Sequence, residues 1–441
     1  MSNPDAIVAA PVLSRGGGRS VAMFVFNDVT HDRRVLMEAD ALQGAGWSVT
    51  IHGISASARE LGDVNVRPSG VRVVRHETSM PMLKIGSATL TTLVISVLWL
   101  VLGAFGYIAR AAVPTFARRI SSAQRLVAWA TRAAAVATGD AVFHLHDLTG
   151  GLPLILSNRS VHRRVVYDSH EIFMESNALA RSPRILRWAV ANLFERRVVA
   201  LADAFVTVNP AVQSELNQRY RLPEAQLVLY NCADPAAPGA ATSSPLRTAI
   251  GVGDDAVVVL YHGGLSRVRG IPQVLAAARD PRLASAHFVF MGYGPMANEL
   301  DALGATNSQI HRLPAVPPDE LIRWISGASV GVMLNQAETL NELCSTPNKL
   351  FEAIAAELPI ISSDFPERRR IILDEELGPL GAVCDPSNSA AIAQAIVDIT
   401  MGDKEVALAT RRRLRKAAST RWNWQLQAKE LVRFYQQVAQ P

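Results

Sequence analysis

Apolar residues in this chain recur in two alternating patterns. Short apolar runs end in polar residues at Val21–Asn27 (VAMFVFN), Ser48–Gly53, Val71–Glu77, Ala141–His146 (AVFHLH), Arg164–Asp168 (RVVYD), Ala204–Asn209 and Leu227–Asn231. Between them lie stretches with helical spacing, such as VLMEADALQGAG after the turn Asp28–Arg34. Runs of this kind predict strands, and their alternation with helices predicts a doubly wound parallel sheet. A second series begins at Ala256–Gly264 (AVVVLYHGG). A helix starts at Ile271, strands follow at His287–Gly292, Ile310–Leu313 and Val330–Leu334, and two long helices, Lys404–Ala418 and Trp422–Val438, close the chain. A length of 441 residues exceeds one hydrophobic core, so the two series predict two domains. The predicted organisation is a flexible tail at 1–20, a first domain at 21–232, a Pro/Ala/Ser/Gly-rich linker at 233–247, a second domain at 248–420 and a terminal helix at 421–441.

Residues 78–139 interrupt the alternation. They contain no acidic residue, and from Ile85 to Ala109 there is no charge of either sign. After Pro114, Arg118, Arg125 and Arg132 recur every seven residues, opposite a stripe of Phe116, Ile120, Ala123, Val127 and Ala130. This pattern fits a basic amphipathic helix on a membrane surface. It also fits a core-facing helix with an arginine-rich solvent face. Sheet strands are expected on both sides of the segment, so a single membrane crossing would divide one sheet between two compartments. A hairpin or an interfacial helix avoids that.

Charge sharpens this picture. The net charge is +5, yet residues 1–230 hold 24 Lys+Arg against 17 Asp+Glu, and the rest holds 20 against 22. A basic first half suits an anionic partner, either membrane or nucleic acid. The three cysteines, Cys232, Cys344 and Cys384, lie far apart with no paired spacing, which argues against a disulfide framework or a structural zinc. The N-terminus lacks a basic start followed by an apolar core, so no signal peptide is expected. The turn after the first strand has no GxGxxG, which disfavours a dehydrogenase. No Asp-x-Asp metal motif and no hydrolase triad pattern stands out.

Candidate chemistry concentrates at Cys344–Asp364 (CSTPNKLFEAIAAELPIISSD). Ser345 and Thr346 are N-cap residue types, and Pro347 fits the first helical position. Asn348 and Lys349 fall in the first turn, and Glu352 shares a face with Asn348. A helix N-terminus favours phosphate, and an ionised Glu one turn deeper can accept both hydroxyls of a ribose. An ordinary amphipathic helix is the plainer reading. In LYHGGLSRVRG, Gly263 and Gly264 admit close backbone approach, while Arg267 and Arg269 offer forked donors to phosphates. Gly292-Tyr-Gly294-Pro295 also follows a strand. His144 and His146 share a strand face, Asp147 comes next, and Tyr167-Asp168-Ser169-His170-Glu171 follows another strand. Solvent-facing loop arginines and buried structural histidines are the plainer alternatives.

PNKLFEAIAAELPII resembles the donor-site helix of family 4 glycosyltransferases, which have the GT-B fold and use nucleotide-sugar donors. A Glu-x7-Glu pair is common there. Glu352 matches the second Glu, which contacts ribose. The first falls on Cys344, Glu342 is nearby but out of register, and Glu357 replaces a usual glycine. Arg269-Gly270 fills the place of a Lys-Gly whose cation contacts the donor diphosphate, while Gly264 stands where an earlier Arg is usual. Leu313–Val316 occupies the base-packing position, and YDSHE resembles a segment of many bacterial members.

The resemblance implies two Rossmann-like domains facing a cleft, with the last helix crossing back to the first domain. It implies His146, Asp147, Arg269 and Glu352 as catalytic residues. Gly263, Gly264, Arg267, Gly292, Gly294, Asn348 and Lys349 join the donor site, and Asp28, Asp168, His170 and Glu171 lie on the acceptor side. The expected activity is retaining transfer of a hexose from a nucleotide-diphosphate sugar to a lipid-linked or glycan acceptor. No metal, no further cofactor and no nucleic acid is expected, and the expected place is the cytoplasmic face of an anionic membrane. The rival readings are a nucleotide-sugar epimerase of the same fold and a non-catalytic membrane-bound scaffold.

Overall fold

The structure is a computed structural model that describes residues 19–55, 64–78, 114–137, 140–156, 163–176, 179, 182–235 and 244–439. The apolar stretch 85–109 and most of the predicted tail and linker lie outside these residues. The chain divides into two compact units, 1–166 with 435–441, and 167–434.

One sheet has eight strands: β1 (Ser20–Phe24), β2 (Ser48–Ile54), β3 (Val64–Val66), β4 (Arg72–His76), β5 (Val142–His146), β6 (Arg164–Ser169), β7 (Ala204–Thr207) and β8 (Ala225–Val228). Their order is β3-β4-β2-β1-β5-β6-β7-β8, and the division between units falls inside β6. β1 runs parallel to β2 and β5, β2 to β4, and β7 to β8, whereas β3 is antiparallel to β4. The six remaining strands are β9 (Val258–His262), β10 (His287–Met291), β11 (Ile310–Leu313), β12 (Val330–Met333), β13 (Ile360–Ser363) and β14 (Gly381–Cys384). They form a second, wholly parallel sheet ordered β11-β10-β9-β12-β13-β14.

Parallel strands covered on both faces need apolar residues at successive positions, not alternate ones. β9 shows this directly. Val258 and Leu260 pack into one core with Leu350, Phe351 and Ile354, while Val259 and Tyr261 pack into another with Ile271, Phe288 and Ile396. The strand is therefore buried along its length, and its C-terminal end is the place where a polar side chain first becomes useful.

The helix predicted after Pro114 forms at Pro114–Val136. Ala128, Trp129, Ala130, Ala133 and Ala134 are buried, and the Trp129 indole donates to the Gly53 carbonyl at 3.0 Å. Two of the stripe arginines are engaged within the first unit. Arg125 donates to the Thr78 hydroxyl, and Arg132 donates to the Glu77 carbonyl at 2.7 Å and pairs with its carboxylate at 3.6 Å. The core-facing reading thus describes this helix over its second half. Among the described residues, no helix is long and apolar enough to cross a membrane. All three cysteines are free thiols.

Glu357, where the resembled family has glycine, adopts φ +54° just beyond the helix Asn348–Ala355. A left-handed non-glycine residue costs roughly 1–2 kcal/mol. Its carboxylate takes a two-pronged ion pair from Arg415 at 2.7 and 2.8 Å, which offsets part of that cost.

Candidate active site

The donor-type residues meet where β9, β10 and β12 end. Three glycines make the meeting possible. Gly263, Gly292 and Gly294 have φ of +111°, +151° and +152°. A Cβ on Gly292 would lie 2.0 Å from the Gly263 carbonyl oxygen, and one on Gly294 would lie 2.3 Å from the Leu265 oxygen. The loops instead exchange backbone hydrogen bonds, from Gly263 N–H to the Met291 carbonyl and from Leu265 N–H to the Tyr293 carbonyl, both at 2.8 Å. A Cβ on Gly263 would meet the Lys349 side chain at 2.6 Å, whereas Gly264 faces open space.

Lys349 extends under Gly263 from the first turn of the helix Asn348–Ala355, its ammonium 5.3 Å from the Tyr261 ring centre. Burial, reinforced by the Arg269 charge and opposed by Glu352, lowers its pKa from 10.5 to about 8. Arg269 acts on the same group from the loop after β9. Arg368 approaches from the helix Pro366–Ile372, fully buried, donating to the Ser345 carbonyl at 3.2 Å and to the Ser345 hydroxyl at 2.8 Å. Burial pushes its pKa down to about 10, against the Glu342 carboxylate 4.0 Å away. The Arg269 charge thus adds to burial in lowering both Lys349 and Arg368, and a buried cluster of cations of this kind suits an anion. Burial holds the Tyr261 hydroxyl neutral, with its pKa up near 12, and that hydroxyl donates to the Gly264 carbonyl at 2.7 Å.

Glu352, one turn into the helix, is only 7% exposed, and one oxygen lies 2.9 Å from Nε2 of His262, the last residue of β9. The helix start also differs by one residue. Pro347 takes the cap position with extended backbone and Asn348 opens the helix, while Thr346 is buried and accepts from the Asn209 amide at 3.1 Å instead of capping. Asn348 is exposed. Arg267 turns to Glu299 at 2.8 Å on the surface, with its side chain 68% exposed, so it stands outside the cation cluster.

The remaining predicted residues lie at or just after the ends of β1, β5 and β6. Asp28 closes a turn by accepting from Thr30 N–H at 3.0 Å, and its carbonyl accepts from Arg75 at 2.9 Å. Asp168 is fully buried and 3.1 Å from His170 Nε2, and Glu171 accepts from the Asn341 amide at 2.7 Å. His146 is buried at the end of β5, its ring stacked on His144 at 4.2 Å, and Asp147 begins a short helix at φ +55°. His144 in turn meets the Tyr435 hydroxyl and lies 3.6 Å from Glu38. One metal-type ligand atom from each of Glu38, His144 and His146 lies within 4.8 Å of the others, a grouping that no sequence spacing announced. Arg34 at 2.9 Å already pairs with the Glu38 carboxylate.

Sequence reasoning missed His262, Arg368 and Asn335, and it set Glu342 aside as out of register. Position was the available signal. His262 is the first polar residue at the end of a wholly apolar strand, and Arg368 sits in the first turn after β13. Glu342, on a short helix capped by the Thr339 hydroxyl, accepts from Asn335 at 3.2 Å as well as facing Arg368.

The two parallel-sheet α/β architectures and the glycine-laced strand ends define the GT-B glycosyltransferase fold. Residues 256–401 match the sequence profile of the group 1 glycosyl transferases. No curated protein matches the chain. Among solved structures, the chain is similar to sucrose-phosphate synthase from Thermosynechococcus elongatus, with a TM-score of 0.68 and 16% identity over 95% of this chain and 99% of that one. It is similar to Anabaena Alr3699/HepE in complex with UDP and glucose, with a TM-score of 0.65 and 14% identity over 95% and 100%. It is also similar to the catalytic domain of starch synthase IV from Arabidopsis thaliana bound to ADP and acarbose, with a TM-score of 0.63 and 12% identity over 96% and 100%.

Proposed function

We propose that the protein is a retaining glycosyltransferase that moves a hexose from a nucleotide-diphosphate sugar to a membrane-associated, lipid-linked acceptor. The observation that carries the donor half is the convergence of Arg269, Lys349 and Arg368 on the helix start beside the Glu352–His262 pair. Cleavage of the sugar–phosphate bond leaves negative charge on a diphosphate. Fixed cations that strengthen their hold as that charge develops stabilise the transition state more than the ground state. Glu352 accepts the ribose hydroxyls. Such a set does the work of a divalent ion, so transfer proceeds without metal. The UDP of the Anabaena complex and the ADP of the Arabidopsis domain support a nucleotide donor. His146, Asp147, Asp28, Asp168, His170 and Glu171 are assigned to acceptor and sugar handling, and the acceptor hydroxyl enters on the face the nucleotide leaves. The enzyme works at the cytoplasmic face of a membrane.

Incubating the protein with membranes and a panel of radiolabelled nucleotide sugars tests this reading. Label in the lipid phase is the expected result. A water-soluble isomer would identify an epimerase, and absence of turnover would leave a non-catalytic scaffold. Transfer should survive EDTA. Loss of transfer with rescue by magnesium would overturn the metal-free part and direct attention to Glu38, His144 and His146.

A further inference from the structure

One helical stretch of the second unit carries a surface that the donor chemistry does not use. Arg184–Ala189 is α-helical, Val190–Glu195 widens to i→i+5 hydrogen bonding, and Arg196–Leu201 returns to α. Ile185, Trp188 and Leu193 are 78%, 61% and 67% exposed, among the most exposed large apolar side chains of the described residues. Ile185 and Trp188 share a face at helical spacing, and the widened turn suits the five-residue step from Trp188 to Leu193. Arg184, Arg196 and Arg197 are also exposed, and Arg187 is partly so while pairing with Glu175 at 2.6 Å. The sequence from Ser176 to Leu201 contains one carboxylate, Glu195, and that one is fully buried, bonded to the Tyr220 hydroxyl at 2.6 Å. The surface is therefore apolar and cationic, with Glu175 as the acidic partner of Arg187.

We infer that Arg184–Leu201 docks on an anionic lipid surface, with Ile185, Trp188 and Leu193 at the headgroup boundary and the arginines on the lipid phosphates. Charge decides between occupants. A second copy of this chain meeting the same face would set arginine against arginine, whereas an anionic bilayer complements both halves of the surface. Tryptophan suits this position because its ring is largely apolar and its N–H stays wet. The assignment also differs from the stripe at 118, 125 and 132, since Arg125 and Arg132 are engaged by residues 77 and 78. Docking requires neither donor nor acceptor, so a failed transferase assay leaves it standing, and its own failure leaves the donor site standing.

The test uses the full chain with vesicles of equal parts phosphatidylcholine and phosphatidylglycerol, set against phosphatidylcholine alone. Fluorescence of Trp188, taken as the difference between the protein and Trp188→Phe, should be quenched by brominated acyl chains in the anionic vesicles only. Arg184→Gln with Arg197→Gln should lower the vesicle partition coefficient about 25-fold, at about fivefold for each arginine removed. Trp188→Ala with Leu193→Ala should lower it about tenfold or more. UDP or ADP binding by calorimetry serves as the check that both double variants are folded. An unquenched Trp188 component would overturn the inference even if the protein pellets with vesicles through another segment, such as 79–113. So would equal quenching in neutral vesicles. Lipid-free self-association that Trp188→Ala abolishes would assign the face to a second copy instead.

Discussion

Replacing Lys349 with methionine should make the empty protein more stable and the donor site nearly useless. The side chain keeps its length, so its packing under Gly263 and against Tyr261 is largely retained, and the principal loss is charge. In the folded chain the pKa falls from 10.5 to about 8, chiefly through burial and then through Arg269. At about 1.4 kcal/mol per pH unit, that drop sets an upper bound of about 3.5 kcal/mol of destabilisation at neutral pH. Partial exposure of the stem and the attraction of the Tyr261 ring reduce this to roughly 1–2 kcal/mol. The sign is fixed by proton counting. Between about 8 and 10.5 the unfolded chain holds the Lys349 proton and the folded chain releases it, so stability rises with pH across that window. Denaturant unfolding of both proteins from pH 7 to 10 checks this. The methionine variant should be the more stable at pH 7, and the gap should close as pH rises. The same variant should lose about 1.5–3 kcal/mol of nucleoside-diphosphate affinity, since a charge-assisted phosphate contact goes with the ammonium. In the natural protein that affinity should decline above about pH 8 as Lys349 deprotonates. A stability gap independent of pH, or unchanged affinity in the variant, would refute the placement of Lys349 under the diphosphate.

Three further outcomes are expected. Arg269→Ala should weaken nucleoside-diphosphate binding by about 1.5–3 kcal/mol in calorimetry, whereas Arg267→Ala, whose partner is the surface residue Glu299, should shift it by less than about 0.5 kcal/mol; equal losses would return Arg267 to the site. His262→Ala should weaken binding of a full nucleoside diphosphate more than that of pyrophosphate, because it removes the partner that aims Glu352 at the ribose, and His262→Asn should recover part of the loss. Gly292→Ala should lower the melting temperature sharply, as its Cβ would fall 2.0 Å from a backbone oxygen with no flexible group to yield; a shift of less than a degree would refute the tight contact.

The alternation of buried strands and helices was legible in the sequence because fully buried parallel strands leave continuous apolar runs. β5, β7, β9, β10 and β12 are all found within or overlapping the predicted runs. β3 (Val64–Val66) was not legible, since its three residues are all exposed and it pairs only at the sheet edge. Of the candidate site, the residues on one contiguous helix were readable: Asn348 and Lys349 fall in its first turn, and Glu352 lies one turn deeper on the face of Asn348. His262, Arg368 and Glu342 were not, because their meeting is made by three different elements whose approach is set by tertiary packing. Loop arginines were the weakest case. Arg267 and Arg269 are two residues apart and chemically identical, yet one faces Glu299 and the other the cluster, and no local pattern separates them.

The glycine contacts at the strand ends bear on how this site tolerates evolutionary drift. The loops after β9 and β10 are joined through main-chain N–H and carbonyl groups, which every non-proline residue carries. The side chains around them can therefore be exchanged without loosening the joint. The constraint falls on the few positions where a methyl group would collide. A platform assembled in this way keeps its shape while its lining changes, so the side chains around it can be refitted by substitutions that leave the joint untouched.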